Sequence, residues 1–500
     1  MSPVKILDTA LRSPGASSRR QFLTASGIVG AFWGARQARA GAGAPARHSL
    51  GDTLPPTEST AIKLVRRITM GLTEEEVARV EELGYEGYLD YQLDYEAIDD
   101  SELEAYIEHN FPLLFLEPPE YRELMNGPLI NQLLIATVVR SIRSRRQLHQ
   151  RMVEFWTDHF NVDIRKGAGP RLKPVDDREV IRRHALGFFP DLLRANVRSP
   201  AMLFYLDNFT NRVGNPNENY SRELMELHTL GVGEFREADV VELARILTGW
   251  SIETRNPETW GTFKFEPRFH DNDPKVFLGQ VIHNPDRPIR DIEEALDILV
   301  AHPSTARYIA SKMSKWLWGY EPSEAMVDQV AGVYEATGGD IRAMVRVILR
   351  QGRLRAAPPK FKRPYHLVTS TLRAVNANLG RTRGLAVLLE RVGQIPMFWQ
   401  TPDGYPDKLE HWVGLQLSRW NVGFAVMNNE VSMPVNILEL LGDARMPADI
   451  VDRIDALLFG GEMTESLRDE LIGFLPGQPN EAQVRDAFAL ALASPSFQWY

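Results

Sequence analysis

Two glutamates one helical turn apart are the clearest chemical signal in this sequence. Glu223 and Glu226 lie in the stretch N-P-N-E-N-Y-S-R-E-L-M-E-L-H-T-L-G, residues 215–231. At about 100° per residue, a helix places both carboxylates on one face with Asn219, and Arg222 lies at the edge of that face. Such a pair can bind a metal, share a proton or divide the roles of acid and base. The alternative is a solvated ion pair between Arg222 and Glu226, whose i, i+4 spacing is common on helix surfaces.

A turn that leads into a short helix must carry these side chains. Pro216 and its neighbouring asparagines favour the turn, and Gly231 suits the left-handed position that closes a helix. A neighbouring apolar stripe can be buried against the rest of the protein. His228 follows Glu226 by two residues, so it can join the carboxylates only if the helix has already ended there.

Other acids, histidines and aromatic residues gather in the central third of the chain. An aromatic ring beside an Asp-His pair is typical of a site for a carbohydrate or a small polar ligand, although a lone histidine is more often a core residue. We therefore predict two further catalytic candidates, Asp158 and Asp271, beside Glu223 and Glu226. The predicted substrate-binding residues are Trp156, His159, Asn219, Arg222, His228, Trp250, His270 and Lys275.

Several motifs together resemble the bacterial domain-of-unknown-function 1800 family. Its signature, N-E-N-Y-x-R-E-L-x-E-L-H-T-L-G, is similar to residues 217–231. Further similar stretches are F-W-T-D-H-F at 155–160, L-T-G-W at 247–250, F-H-D at 269–271 and G-Q-I-P at 393–396. The resemblance covers nearly the whole chain after the leader. It implies a fold but assigns no activity and no catalytic residues, and it implies a sulfatase-like exported partner, because genes of the family often neighbour such a family.

The first 40 residues are typical of a twin-arginine signal peptide. S-R-R-Q-F-L-T at 18–24 is followed by a mildly apolar run to residue 35 and by the cleavage site A-R-A at 38–40. The run is too short for a permanent membrane anchor. We expect cleavage after Ala40, a flexible linker over residues 41–60, and export by the twin-arginine machinery. The predicted location is periplasmic or secreted.

Composition excludes several classes of protein. The chain of 500 residues has no cysteine, so it has no disulfide, no thiol nucleophile and no thiolate metal site. Its formal net charge of −9 argues against a general nucleic-acid-binding protein. The usual motifs of esterases, phosphate loops, dinucleotide-binding proteins and zinc proteases do not occur. The sequence identifies no cofactor.

Helical periodicity dominates the remaining chain and predicts an all-α fold, a large multi-helix domain with at most a short hairpin. We expect a main domain over residues 61–425 and a C-terminal helical part of the same fold over 426–500. The longest helical pattern runs over 129–160, and the least helical region is 251–279. A long loop over 393–407 contains Trp399 and Asp403, and loops of this length are often functional.

Three functional hypotheses follow. The first is an exported hydrolase or lyase that cleaves an envelope or extracellular glycan with its carboxylates, while tryptophans stack on the sugars. The alternative is an exported binding or assembly protein that works with the sulfatase-like partner. A second alternative is a metal-dependent hydrolase with His159, Glu223, Glu226 and His270 as ligands, although no metal-binding spacing supports it. Convergence of the four catalytic candidates would favour an enzyme, and pairing of each acid with an arginine would favour the binding protein.

Overall fold

The computed structural model describes residues 59–379 and 383–500. The predicted signal peptide and nearly all of the predicted linker lie outside the described residues. The first described helix begins at Thr60, one residue before the predicted domain boundary. The described chain is mainly helical with four short strands, so the predicted all-α class is confirmed.

The helices that precede the first strand are α1 (Thr60–Ile68), α2 (Glu74–Leu93), α3 (Ser101–Asn110), α4 (Asn126–Arg143), α5 (Gln147–His159), α6 (Gly169–Val175), α7 (Phe189–Val197), α8 (Pro200–Tyr205), α9 (Glu218–Glu226) and α10 (Glu237–Ile246). A π-helical segment, Asp176–Arg182, continues from α6. Several of their boundaries follow local sequence. Thr73 caps α2 by accepting a hydrogen bond from the Glu76 amide at 3.2 Å, and Gly84 kinks the helix with a φ of 69°.

The longest predicted helix is wrong as a single element. The chain breaks at Ser144, which separates α4 from α5 and has extended backbone. The Ser144 hydroxyl donates to Asp100 Oδ2 at 2.6 Å, and the amide of Arg145 donates to Asp100 Oδ1 at 3.1 Å. Because Asp100 is remote in sequence, this capping contact cannot be read from the helical period.

The four strands lie in or directly beside the region 251–279 that the sequence marks as least helical: β1 begins one residue before it and β4 follows it directly. They are β1 (Trp250–Ile252), β2 (Phe263–Phe265), β3 (Lys275–Phe277) and β4 (Gln280–Ile282). β1 pairs antiparallel with β2, with Trp250 opposite Phe265. β3 and β4 form a tight hairpin around Leu278 and Gly279, both of which have positive φ. Lys275 lies on β3, and His270 and Asp271 lie in the segment between β2 and β3.

The later helices are α11 (Arg290–Ala301), α12 (Pro303–Leu317), α13 (Glu324–Thr337), α14 (Ile341–Ile348), α15 (Gln351–Arg355), α16 (Pro364–Ala374), α17 (Arg383–Val392), α18 (Leu409–Trp412), α19 (Gln416–Met427), α20 (Ile437–Leu441), α21 (Pro447–Phe459), α22 (Glu465–Phe474), α23 (Glu481–Ala493) and α24 (Pro495–Gln498). In the described part of the chain, no helix is long and apolar enough to cross a membrane.

Two large hydrophobic cores hold the helices together. The first joins α1, α2 and α5 to the helices between α7 and α14. The second joins α3 and α4 to α16 and to the helices after it, including those of residues 426–500. The C-terminal helices therefore share a core with helices from the first third of the chain. Tyr405 and Trp399 of the long loop over 393–407 pack with Trp412 in a third, small cluster.

Candidate functional site

The signature segment forms the turn and short helix that its sequence predicts. The Asn217 side chain caps α9 by accepting from the Asn219 amide at 3.0 Å. The helix ends at Glu226, so His228 already lies beyond it, and Gly231 follows with a φ of 92°. Tyr220 is buried while Glu223 and Glu226 are half-buried, as the two stripes predict.

The ion pair expected between Arg222 and Glu226 does not form. Arg222 instead donates to both oxygens of Glu237, at 3.0 and 2.6 Å, and lies 3.9 Å from Glu218. Neither Glu223 nor Glu226 forms an ion pair with any residue in 59–379 or 383–500. The alternative that Glu226 serves only in a solvated ion pair with Arg222 is therefore wrong.

Helix α12 brings a lysine to the end of α5. Lys312 Nζ donates to His159 Nδ1 at 2.8 Å. The other ring nitrogen of His159 donates to the main-chain carbonyl of His228 at 3.2 Å, so His159 is the neutral Nε2–H tautomer. Burial, together with the charge of Lys312, lowers the pKa of His159 well below its ordinary value. Burial also lowers the pKa of Lys312 to about 8, and nearby Asp158 and Asp403 oppose that shift.

The loop over 393–407 places Asp403 at the same site. Asp403 Oδ1 accepts from Trp399 Nε1 at 3.0 Å and from the Thr401 hydroxyl at 2.5 Å. Asn161 donates to the main-chain carbonyls of Trp399 and Thr401 at 3.0 and 2.8 Å. Gly404 lies so close to α5 that a Cβ there would be 2.0 Å from the Asp158 carbonyl oxygen. Only glycine allows this approach, which fixes Asp403 beside the end of α5.

Electrostatic coupling joins these groups into one site. Burial raises the pKa of Glu223, and the charge of Glu226 raises it further. The charge of Arg222 opposes this rise, and Asp403 adds to it. Burial, with the charges of Glu226 and Asp403, raises the pKa of Tyr308 to about 12. Tyr308 packs over the signature glycine, where a Cβ on Gly231 would be 3.0 Å from its ring. We call His159, Glu223, Glu226, Tyr308, Lys312 and Asp403 the Lys312 cluster.

Asp158 lies behind this cluster in an ion-paired position. Arg363 Nη2 donates to Asp158 Oδ2 at 2.5 Å and lies 3.8 Å from Glu154. Burial raises the pKa of Asp158 to about 6 against the opposing charge of Arg363, and Glu154 adds to the rise. The pair lines a small cavity of about 30 Å³. The Asp158 carboxylate is therefore held by an arginine, and it acts on the cluster only through its charge, which helps to keep Lys312 protonated.

The remaining polar candidates form a second assembly around Asp291. Lys275 donates to Asp291 Oδ2 at 2.6 Å, and His270 Nε2 lies 3.2 Å from the same oxygen. Arg245 Nε donates to Asp271 Oδ2 at 2.8 Å. We call these five residues the Asp291 network. Its acids are matched by cations, and none of its residues contacts the Lys312 cluster through a described hydrogen bond or ion pair.

A family model described as "Protein of unknown function (DUF1800)" matches residues 63–499. The chain belongs to the DUF1800 family. The match includes both the Lys312 cluster and the Asp291 network. No curated protein and no solved structure matches the chain at a significant level.

The DUF1800 motif tryptophans lie in the interior. Trp156 is 0% exposed and donates from Nε1 to the Ala185 carbonyl at 2.9 Å, and Trp250 is 1% exposed. Neither ring has an accessible face for a sugar. Trp399, in contrast, is half-buried and lies directly beside Asp403. It is the tryptophan best placed to contact a ligand of the Lys312 cluster.

Two polar residues of the DUF1800 signature take structural positions. Asn219 is exposed and donates to the Leu206 carbonyl at 3.1 Å. His228 is buried, and burial lowers the pKa of its ring to about 3. Both nitrogens of the His228 ring lack partners, whereas its carbonyl holds His159.

The proposed metal ligands do not assemble. His270 belongs to the Asp291 network, whereas His159, Glu223 and Glu226 belong to the Lys312 cluster. In the described ranges no group of three or more histidine, aspartate or glutamate side chains is arranged to hold a metal ion. Sequence reasoning missed Tyr308 and Lys312, because both sit on an ordinary amphipathic helix with no motif around them.

Proposed function

We propose that this protein is an exported acid–base enzyme, a hydrolase or lyase that acts on an envelope or extracellular glycan. The observation that carries the proposal is the pair Glu223 and Glu226, which has no ion-pair partner in the described chain and lies at the Lys312 cluster. A half-buried carboxylate without a cation costs folding free energy. Such departures from the local rules are typical of functional sites, where altered pKa values serve the chemistry.

Glu223 is the proton donor in this proposal. Burial and the two neighbouring carboxylates raise its pKa, which keeps the acid protonated at a higher pH than an ordinary glutamate. A donor of this kind can protonate the leaving oxygen of a glycosidic bond. The same environment would suit the acid step of a lyase.

Asp403 is the better candidate for the base or nucleophile. Glycosidic cleavage needs two carboxylates that flank the bond. Glu226 shares a helix face with Glu223, whereas Asp403 comes from a separate loop and has one oxygen fixed by Trp399 and Thr401. A carboxylate that is already oriented loses less freedom when the substrate arrives.

Lys312 and Trp399 complete the proposed site. Protonated Lys312 would stabilise negative charge that develops on the substrate, with its amine held by neutral His159. Trp399 would stack on a sugar ring beside Asp403. The acids outnumber the single lysine, so neutral glycans fit the cluster better than strongly anionic ones.

The test is a screen of the mature protein against envelope and extracellular polysaccharides. Reducing ends report hydrolysis, and the ultraviolet absorbance of an unsaturated product reports a lyase. Glu223→Gln should lose the activity while Glu218→Gln, an exposed position on the same helix, should retain it. Equal activity in both variants would remove Glu223 from the mechanism.

The export step rests on the sequence of residues 18–40. Replacement of both Arg19 and Arg20 by lysine should leave the precursor in the cytoplasm, whereas Arg12→Lys should still be exported. Cell fractionation with an antibody against the protein distinguishes the two results. Normal export of the double variant would contradict the twin-arginine route.

A binding or assembly protein is the second candidate. It is favoured by the pairing of Asp158 with Arg363 and of Asp271 with Arg245, as expected of scaffold acids. The partner would be the sulfatase-like exported protein. Co-purification of that protein from the periplasm, undiminished by Glu223→Gln, together with no activity in the glycan screen, would favour this role.

A further inference from the structure

A second small cavity lies beside the first turn of α16, away from the Lys312 cluster. Its volume is about 20 Å³, which is room for a single small guest. Lys362, Arg66 and His366 line it together with the hydroxyl-bearing Ser496. No aspartate or glutamate side chain is among its lining residues.

Lys362 is a buried cation without a counter-charge. Its side chain is 7% exposed and has no hydrogen-bond acceptor or ion pair in the described chain. The Nζ atom lies over the Phe497 ring, 3.5 Å from its centroid. The neighbouring Arg419 donates to Gln498 and to the Lys362 carbonyl, so it supplies further positive charge and no acceptor. An ammonium group in this position needs an anion or must lose its proton.

His366 provides an unused hydrogen-bond donor at the same cavity. The residue is 1% exposed, and neither of its ring nitrogens has a partner. A neutral imidazole always carries one N–H group, so a donor is buried here without an acceptor. Buried polar groups are nearly always satisfied, which points to a guest that can accept a hydrogen bond.

We propose that this cavity binds one small monovalent anion of the size of chloride. Lys362 supplies the positive charge, because the Arg66 guanidinium at the cavity is already paired with Glu462 at 3.2 Å and donates to the Phe459 carbonyl at 2.5 Å. His366 donates its N–H, and the beginning of α16 adds the partial positive charge of a helix start. Sulfate and phosphate exceed the room available. The main-chain oxygen of Tyr500 does not fill this role, because it accepts from the Lys360 amide at 2.8 Å and from Arg67 at 3.3 Å. The site is independent of the proposed enzyme function.

Thermal unfolding in matched salts tests the proposal. The Tm of the whole mature protein is measured in sodium chloride and in sodium gluconate at equal ionic strength, since gluconate is too large for the cavity. Chloride should raise the Tm in a saturable way, by roughly 3 °C at one hundred times its Kd. Lys362→Met should abolish the difference between the salts, whereas Lys408→Met, at an exposed lysine, should keep it.

A crystal grown in bromide provides the second measurement and does not depend on how the variants fold. The anomalous signal of bromide should give a peak between Lys362 and His366 in the wild-type protein. The proposal is overturned if the Tm is the same in both salts, if the difference persists in Lys362→Met, or if the cavity shows no bromide peak. In each case the lysine is neutral and the cavity holds water.

Discussion

The Lys312 cluster and the Asp291 network contain the same types of residue, but their charges are balanced in different ways. In the network, Asp291 has Lys275 at 2.6 Å and Asp271 has Arg245 at 2.8 Å. In the cluster, Glu223 and Glu226 have no ion pair in the described ranges. In the Asp291 network the charged groups pair with one another, whereas the Lys312 cluster leaves two carboxylates available to a ligand.

This difference in charge pairing distinguishes polar residues that stabilise the fold from polar residues that can take part in catalysis. A buried pair whose lone pairs are all used is a scaffold, because removal of either partner strands a charge. A carboxyl group such as Glu223, whose pKa is raised by burial and by neighbouring carboxylates, is poised for proton transfer. The comparison therefore predicts loss of activity from changes in the cluster and loss of stability from changes in the network.

The largest expected effect is on catalysis at Asp403. Asp403→Asn removes the proposed base and should lower kcat/KM on the glycan found in the screen by roughly 10²- to 10⁴-fold. The Tm should stay close to that of the wild type, because Asn keeps an oxygen for Trp399 and Thr401. Asp273→Asn, at an exposed acid in the loop that follows β2, is the matched control and should keep full activity. Full activity in Asp403→Asn would show that Asp403 is not the base.

The next effect is on stability in the Asp291 network. Lys275→Met leaves Asp291 buried without its cation and should lower the free energy of unfolding by about 3–5 kcal/mol. Urea denaturation measures the change. Adding Asp291→Asn to this variant should restore part of the loss, since the stranded charge is then gone. If Lys275→Met is as stable as the wild type, the network is not a scaffold.

The pH profile gives a smaller effect that belongs to the cluster alone. Glu223 acts as an acid only when protonated, so kcat/KM should fall as the pH rises through its pKa, about tenfold per pH unit at most. Loss of the Lys312 charge near pH 8 should add a second fall. Lys312→Met should lack the second fall while it keeps the first. A profile of Lys312→Met with both falls would show that the lysine charge is not used.

The smallest effect is expected at the surface of the signature helix. Arg222→Gln breaks the exposed pair with Glu237 and should leave the Tm unchanged within the error of the measurement. A large loss of stability would mean that the charged residues of the signature stabilise the fold through this ion pair.

The elements with strong local signals were predictable from the sequence. The turn, the short helix and the glycine of the signature follow from residue types and spacing. The helix break at Ser144 was not predictable, because it is stabilised by a tertiary hydrogen bond to Asp100, which is remote in sequence. Local pattern determines where a helix can form, and remote contacts determine where it stops.

The site was predictable only in part, for a related reason. Glu223 and Glu226 stand out because their spacing shows them on one helix face. Lys312 does not stand out, since its place in the site depends on a hydrogen bond to His159, which is 153 residues away in sequence. Arg222 misled the local reading in the same way, as its partner is Glu237 and not the glutamate at i+4.

The anchored loop over 399–403 has a consequence for the kinetics of binding. Asn161 holds the carbonyls of Trp399 and Thr401, and the Tyr205 hydroxyl donates to the carbonyl between them at 2.7 Å. A segment that is already ordered has little conformational entropy to lose when a ligand binds. Association should therefore occur in one step, with an observed rate that rises linearly with ligand concentration and no slow closure phase.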